Sequence, residues 1–120
     1  GGTRTASITG GYVALAIALR RLAQSGQAPA ETLLSPVAAV SVGVVAGTPL
    51  LDLCYEEDSA AEVDVNVVMN AHGEFVEIQG TAEGNPFPRS SLDQLLVLAY
   101  KGIGELLETQ QAVIAQATHL

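Results

Sequence analysis

The chain has 120 residues, and its 13 acidic and 5 basic side chains give a formal net charge of −8. Phosphate contacts need Lys and Arg, so this balance argues against broad nucleic-acid binding by these residues alone. A hydrophobic share of 48% without tryptophan predicts an aliphatic core in one domain. The single cysteine, Cys54, excludes an internal disulfide and favours a reducing cytoplasm. No apolar run reaches the roughly 18 residues of a membrane span, so we expect no membrane partner.

Two helices are predicted at the ends of the chain. Apolar residues recur every three or four positions over 3–25, which indicates a helix with the stripe Ile8, Tyr12, Leu15, Leu19 and Leu22. A second helix is predicted over 91–117, with Ser90 or Ser91 as its N-cap. Its stripe consists of Leu92, Leu95, Leu96, Ala99, Ile103, Leu106 and Leu107.

Four strands are predicted between the helices. The nearly continuous apolar run over 37–46 indicates a strand buried on both faces, and the run over 50–55 pairs with it as a hairpin. A turn over 56–61 leads into a third strand over 62–69, and a turn at Gly73 leads into a fourth over 74–80. The order of helix, four strands, helix predicts an α+β fold with the helices on one face of a mostly antiparallel sheet.

The third strand alternates between valine and polar residues. The valines at 63, 65 and 67 are predicted to face inward, which places Asp64 and Asn66 together on the opposite face. Polar residues of this kind are depleted in strands, so their presence here points to a site.

The fourth strand alternates in the same way. Val76 and Ile78 are predicted to face inward, against Glu77 and Gln79. The polar run over 79–83 that follows either reaches a site or forms an ordinary loop.

The first predicted helix begins with two glycines and an arginine, in the stretch "GGTRTASITGGY". A cation is unfavourable at a helix N-terminus unless an anion is bound there. The first backbone N–H groups of a helix have no partners within the helix, and glycine lets a ligand approach them closely. The helix start with Arg4 is therefore a candidate anion site; the alternative is an ordinary helix start with a solvated arginine.

Acidic residues cluster just before the third strand, at Glu56, Glu57, Asp58, Glu62 and Asp64. A turn that leads directly into a strand can bring Asp58 and Asp64 together. Two carboxylates suit Mg²⁺ when a substrate phosphate completes the coordination shell. Either acid could instead act as a general acid or base, or the cluster could be a solvated loop.

The remaining reactive residue types are weaker candidates. His72 lies at a predicted hairpin tip and is interpreted as a turn residue, while His119 lies next to the last residue. Cys54 lies in a predicted apolar strand, where we expect it to pack and not to react.

Four stretches of the chain resemble the ribonuclease PH family of phosphorolytic exoribonucleases: "GGTRTASITG", "AAVSVG", "DLCYEEDSAAEVDVNVVM" and "EIQGTAEGNPF". The resemblance runs over nearly all 120 residues. It implies that residues 1–120 are one domain portion, the C-terminal half of a longer chain, with the fold of the second domain of ribosomal protein S5.

The resemblance also implies a reaction, in which inorganic phosphate trims extra 3′ nucleotides from tRNA precursors and releases nucleoside diphosphates. By this resemblance Gly2, Thr3 and Arg4 bind the phosphate, with Ser7 as a neighbour. Asp58 and Asp64 serve catalysis and hold a metal, which we expect to be Mg²⁺. The family assembles as rings of six subunits. The alternative functions are a catalytically silent, RNA-binding ring subunit of the exosome type and an inactive fragment of the enzyme.

Overall fold

Three helices and four strands make up the described part of the chain, residues 2–29, 32 and 35–118, in this computed structural model. The elements in chain order are α1 (Thr3–Gln24), β1 (Val37–Val45), β2 (Thr48–Leu51), α2 (Tyr55–Ala60), β3 (Val63–Asn70), β4 (Phe75–Ala82) and α3 (Arg89–Thr118). The predicted α+β fold of a helix, four antiparallel strands and a helix is confirmed.

The four strands form one antiparallel sheet in the order β2-β1-β3-β4. The predicted hairpin of β1 and β2 is confirmed, and residues 38–43 of β1 are buried, as the apolar run predicted. Directly opposite residues in neighbouring strands share a face of the sheet, so the register assigns each side chain to a face.

The core lies between α3 and one face of the sheet. The predicted inward valines at 63, 65 and 67 are all buried there, and they pack with Leu95, Ala99 and Ile103 of α3. The predicted stripe of α3 is therefore confirmed. The helix begins at Arg89, so Ser90 and Ser91 lie in its first turn and the N-cap prediction was wrong.

Helix α1 lies along the edge of β1 that the short strand β2 leaves open. The Thr9 hydroxyl accepts a hydrogen bond from the Ala39 N–H and donates one to the Ala39 carbonyl. The buried Gln110 amide of α3 donates to the carbonyls of Thr9 and Val37, which joins α1, β1 and α3. These side-chain hydrogen bonds satisfy backbone groups that a longer β2 would otherwise pair.

The predicted stripe of α1 was wrong in part. Leu15 and Leu22 are exposed, and the buried positions of the helix are Thr5 and Ala16. The helix packs against a strand edge and against α3, so small residues occupy its buried positions, while Ile8, Tyr12 and Leu19 are only partly buried.

The segment after β1 also differs from prediction. The second strand ends at Leu51, and the predicted turn at 56–61 is the short helix α2. Cys54 precedes this helix and is exposed, so its expected packing in a strand was wrong. The Cys54 N–H donates a 2.9 Å hydrogen bond to Glu57, which satisfies an N–H group at the helix start and lowers the pKa of that carboxyl group.

Strand β4 is an edge strand, and its apolar residues are not buried. Val76 is 62% exposed and Ile78 is 45% exposed, so their predicted inward packing was wrong. A register shift between Val68 and Met69 breaks the alternation at this end of the strand. His72 lies in the β3–β4 turn as predicted, and His119 lies outside the described residues.

Candidate active site

The face of the sheet opposite α3 carries two rows of polar residues, which we call the polar face. Asp64 on β3 lies between Gly43 on β1 and Thr81 on β4. Asn66 lies between Ser41 and Gln79 in the neighbouring row. Asp64 and Asn66 therefore share a face, as their spacing predicted.

The polar run over 79–83 is largely strand, because β4 continues to Ala82. Since Gln79 and Thr81 lie opposite Asn66 and Asp64, the run extends the polar face.

Leu53 anchors the segment that precedes α2 to strand β1. Its side chain is only 2% exposed, and its N–H donates a 3.1 Å hydrogen bond to the Ser41 hydroxyl. The N–H of Asp52 donates to the Ser41 carbonyl at 2.7 Å. A Cβ on Gly43 would lie 2.7 Å from Leu53 Cδ1 and 2.5 Å from the Val63 carbonyl oxygen, so only glycine leaves room for Leu53 here. This anchoring holds α2 beside the polar face.

Helix α2 brings Asp58 into hydrogen-bonding contact with Asp64. Burial raises the pKa of the half-buried Asp64 carboxyl group above its ordinary value. The charge of Asp58, the hydrogen bond with Asp58 and the charge of Glu83 raise this pKa further. Asp64 therefore keeps a proton to higher pH than an ordinary aspartate does.

The start of α1 faces the same region. Gly2 has φ 93°, a backbone conformation that side-chain-bearing residues rarely adopt, and its carbonyl accepts hydrogen bonds from the Ala6 N–H and the Thr5 hydroxyl. No side chain in the described residues caps this helix start, and no acidic residue lies in its first turn. The positive potential of the helix start is therefore not offset by an acidic residue within its first turn.

Arg4 reaches across the polar face to β4. Its Nη2 atom donates a 2.7 Å hydrogen bond to Oε2 of Glu77 and lies 2.6 Å from Oε1. Glu77 lies opposite Val68, on the same face as Asp64 and Asn66. This ion pair holds the guanidinium group over the sheet.

A cavity of about 580 Å³, which we call the polar pocket, lies between α1, α2 and the polar face. Its lining residues are Gly2, Thr3, Arg4, Thr5, Ser41, Leu53, Tyr55, Asp58, Asp64 and Asn66. All five residues that the sequence singled out for phosphate or metal binding therefore line one cavity. Ser7 is not among them, because its hydroxyl donates to the Thr3 carbonyl one turn back along α1.

A second cavity of about 610 Å³ lies on the other side of the α1 start. It shares Gly2 and Thr5 with the polar pocket, but Asp52 and Glu105 are the charged residues that line it. With acidic groups and no cation among the described residues of its lining, it favours an anion less than the polar pocket does.

The donor groups of the polar pocket fit Mg²⁺. Burial, and after it the charge of Asp58, raises the pKa of Asp64, and a divalent cation between the two carboxylates would offset their repulsion. Magnesium usually takes one or two carboxylates and completes its shell with water and substrate phosphate oxygens. The described residues contain no group of three or more His, Cys, Asp or Glu side chains that could hold a metal by themselves.

Sequence reasoning missed several residues at this site, among them Glu77 and Tyr55. Glu77 was assigned to the outer face of its strand, but nothing in the local pattern linked it to Arg4. Tyr55 was counted in an apolar strand, whereas it begins α2 and lines the polar pocket. The four acidic or polar residues that follow Tyr55 in "YEEDS" are the signal that could have indicated a helix start.

The fold and the site define the chain as an α+β domain in which a helix start with a cation faces a pair of carboxylates. The profile described as "3′ exoribonuclease family, domain 2" matches residues 35–102. Because that match covers more than half of the chain, the chain belongs to this family.

Curated relatives agree with this assignment. Ribonuclease PH of Corynebacterium glutamicum (strain R) is 60% identical over 114 residues, which are 95% of this chain and 46% of the relative. Ribonuclease PH of Neisseria gonorrhoeae (strain NCCP11945) is 57% identical over 117 residues, which are 98% of this chain and 48% of the relative. The chain thus spans about half the length of the curated relatives it matches.

Solved structures share the fold. An archaeal exosome core matches with a TM-score of 0.58 and 19% identity over 70% of this chain and 38% of that one. The Archaeoglobus fulgidus exosome with RNA bound to the active site matches with a TM-score of 0.55 and 20% identity over 63% of this chain and 30% of that one. At this identity the likeness concerns the fold alone. Within the described residues, no helix is both long and apolar enough to cross a bilayer.

Proposed function

We propose that the complete protein is a phosphorolytic 3′–5′ exoribonuclease and that this chain supplies its phosphate-binding and catalytic residues. The observation that carries the proposal is the convergence of the α1 start and the Asp58–Asp64 pair on one polar pocket. The relatives named Ribonuclease PH, whose alignments extend over 95% or more of this chain, support it.

In this reaction an oxygen of inorganic phosphate bonds to the phosphorus of the last phosphodiester of the RNA. The bond from that phosphorus to the O3′ atom of the preceding nucleotide breaks. A nucleoside diphosphate is released, and O3′ takes up a proton and becomes the new 3′ hydroxyl. Phosphoryl transfer of this kind depends mainly on positioning and on charge stabilisation.

The α1 start binds the attacking phosphate in this proposal. Gly2, Thr3 and Arg4 line the pocket, and the positive end of the helix favours an anion. Arg4 adds a full charge and the planar donor geometry that matches phosphate oxygens. Glu77 holds one edge of the guanidinium group. Arg4 therefore samples fewer orientations before phosphate binds.

Asp58 and Asp64 would hold Mg²⁺ on the opposite side of the pocket. When bound, the cation neutralises negative charge on the phosphate oxygens as the transition state forms. The raised pKa of Asp64 also suits this side chain to hold a proton at its carboxyl group.

The substrate proposed is an RNA with extra 3′ nucleotides, in particular a tRNA precursor. With a net charge of −8 this chain does not supply the cations needed to bind a long stretch of RNA. We therefore assign this RNA binding to an N-terminal half and to neighbouring subunits of a six-membered homo-oligomeric ring. The single exposed thiol of Cys54 suits a reducing cytoplasm, where we place the activity.

The test is release of nucleoside diphosphate by the complete protein from RNA with a 3′ extension, with and without inorganic phosphate. Release that requires phosphate and that is lost in Asp64→Asn supports the proposal. Release of nucleoside monophosphates without phosphate would indicate hydrolysis and contradict it. Intact RNA in every condition would favour the silent ring subunit.

A further inference from the structure

Tyr55 presents an exposed aromatic ring at the rim of the polar pocket. The residue is 84% exposed and lines the same cavity as Arg4, Asp58 and Asp64. Single exposed apolar residues are common on proteins and need no explanation by themselves. Tyr55 does need an explanation, because it lies beside the groups that are proposed to act on RNA.

Hydrogen bonds and a buried neighbour fix the backbone around Tyr55, although the Tyr55 ring itself is exposed to solvent. Leu53 is buried two residues earlier, and its N–H is bonded to the Ser41 hydroxyl. Cys54 donates to Glu57, and the first turn of α2 is closed by the Asp58 N–H bonding to the Cys54 carbonyl at 2.8 Å. A tyrosine ring has only two side-chain torsions to fix, so a ligand that covers it loses little conformational entropy.

The surroundings of the ring do not suit a protein interface. The three residues that follow Tyr55 are Glu56, Glu57 and Asp58, and charged residues are depleted from the cores of protein interfaces. A nucleobase is neutral and presents a flat face, so it can cover the ring without bringing a phosphate against these acids. Every base has such a face, and aromatic side chains stack on bases without regard to sequence.

We propose that the Tyr55 ring stacks on a nucleobase at the 3′ end of the RNA and holds the terminal nucleotides over the polar pocket. This inference rests on the proposed exoribonuclease function and adds the residue that grips the substrate base. Stacking that ignores base identity suits an enzyme that removes successive nucleotides of any kind.

The first experiment measures steady-state trimming by the complete protein with Tyr55→Ala and Tyr55→Phe. We expect Tyr55→Ala to raise the KM for RNA about 10-fold to 100-fold, because stacking on an aromatic side chain contributes substantially to the binding free energy of each base. The KM for phosphate stays unchanged, since Arg4 and the α1 start are untouched. Tyr55→Phe keeps the ring and stays close to wild type.

Tyr100→Ala is the matched control. Tyr100 is also an exposed tyrosine, at 64%, but it lies on α3, which packs on the opposite face of the sheet. Its replacement should leave the KM for RNA unchanged.

The second experiment tests stacking itself with RNA that carries an abasic site at the last, second or third position from the 3′ end. In the wild type, one of these substitutions should raise the KM for RNA by about the same factor as Tyr55→Ala. In Tyr55→Ala that same abasic site should have no further effect, because the partner ring is already gone.

Several results would overturn the inference. If Tyr55→Ala trims RNA with an unchanged KM, or if its effect adds fully to every abasic site, the ring does not stack on a base. If Tyr55→Ala instead dissociates the assembly in light-scattering measurements, the ring is a subunit contact. If the wild type itself releases no nucleoside diphosphate, the proposed function fails first. Direct binding of RNA with 2-aminopurine at the last, second or third position from the 3′ end then still tests stacking by its fluorescence, and fluorescence that is the same in wild type and Tyr55→Ala at all three positions would overturn the inference.

Discussion

Nη2 of Arg4 lies within 2.7 Å of both carboxylate oxygens of Glu77, although 73 residues separate the two in the chain. Both side chains are partly exposed, and ion pairs of this kind contribute little to folding stability. The consequence of the pair therefore lies in the position of the guanidinium group, which is held over the polar pocket at the start of α1. It also means that a bound phosphate shares Arg4 with a carboxylate.

Two variants of Glu77 separate these effects. Glu77→Gln keeps an acceptor for Arg4 and removes a negative charge near the phosphate, so the KM for phosphate should fall about 2-fold to 5-fold at low salt. Glu77→Leu removes the acceptor as well, so Arg4 loses its orientation and the KM for phosphate should rise. Initial rates at varied phosphate would check both, and equal changes in the two variants would show that the pair does not orient Arg4.

Arg4 itself should control the affinity for phosphate. In Arg4→Ala we expect the KM for phosphate to rise about 10-fold or more, because a charge-assisted contact to the anion is lost. The fold should be unchanged, since the side chain is half exposed. Arg20→Ala, an exposed position farther along α1, serves as the control. An unchanged KM in Arg4→Ala would remove this residue from the site.

The acid pair should govern turnover. Asp58→Asn and Asp64→Asn keep the size of the side chain but remove a negative charge that would hold Mg²⁺ or accept a proton. We expect kcat to fall by roughly 10²-fold to 10⁴-fold, with a weaker dependence on Mg²⁺. Rapid-quench single-turnover rates measure this. Variants that lose their thermal transition but retain single-turnover activity would show a structural role instead.

The raised pKa of Asp64 should appear in the pH dependence of stability. The folded protein binds this proton more tightly than the unfolded chain does, so the favourable contribution is complete below the unfolded pKa and is lost as pH rises through the folded pKa. Asp64→Asn should therefore raise the melting temperature at pH 7 in the presence of a chelator. The difference should disappear near pH 3, where both side chains are neutral. A lower melting temperature at pH 7 would contradict this account.

Residues 1–120 by themselves should not trim RNA, even at saturating phosphate. The chain has 13 acidic and 5 basic residues, and Arg20, Arg21 and Lys101 lie in helices and do not line the polar pocket. The resulting field slows the approach of a polyanion. Addition of the N-terminal half should restore binding that weakens with salt, which gel-shift titrations at several salt concentrations would measure. Phosphate-dependent trimming by residues 1–120 alone would place the RNA grip within them.

Local patterns in the sequence determined the two long helices, the four strands and which residues to consider for the site, but not the short helix α2. The valines at 63, 65 and 67 alternate with polar residues, and a strand has only two faces, so Asp64 and Asn66 had to share one of them. The glycines before Arg4 marked a helix start for the same kind of local reason, because backbone conformation is set by neighbouring residues.

Contacts between distant segments were decided only by the tertiary structure. Ile78 lies opposite the buried Val67 and Val76 lies at the register shift. Both remain exposed, because β4 lies at the edge of the sheet and α3 packs over β1, β2 and β3. The pairing of Arg4 with Glu77 depends on α1 lying along the open edge of β1, a consequence of how short β2 is. Such placements follow from the packing of whole elements against one another, and no local periodicity carries that information.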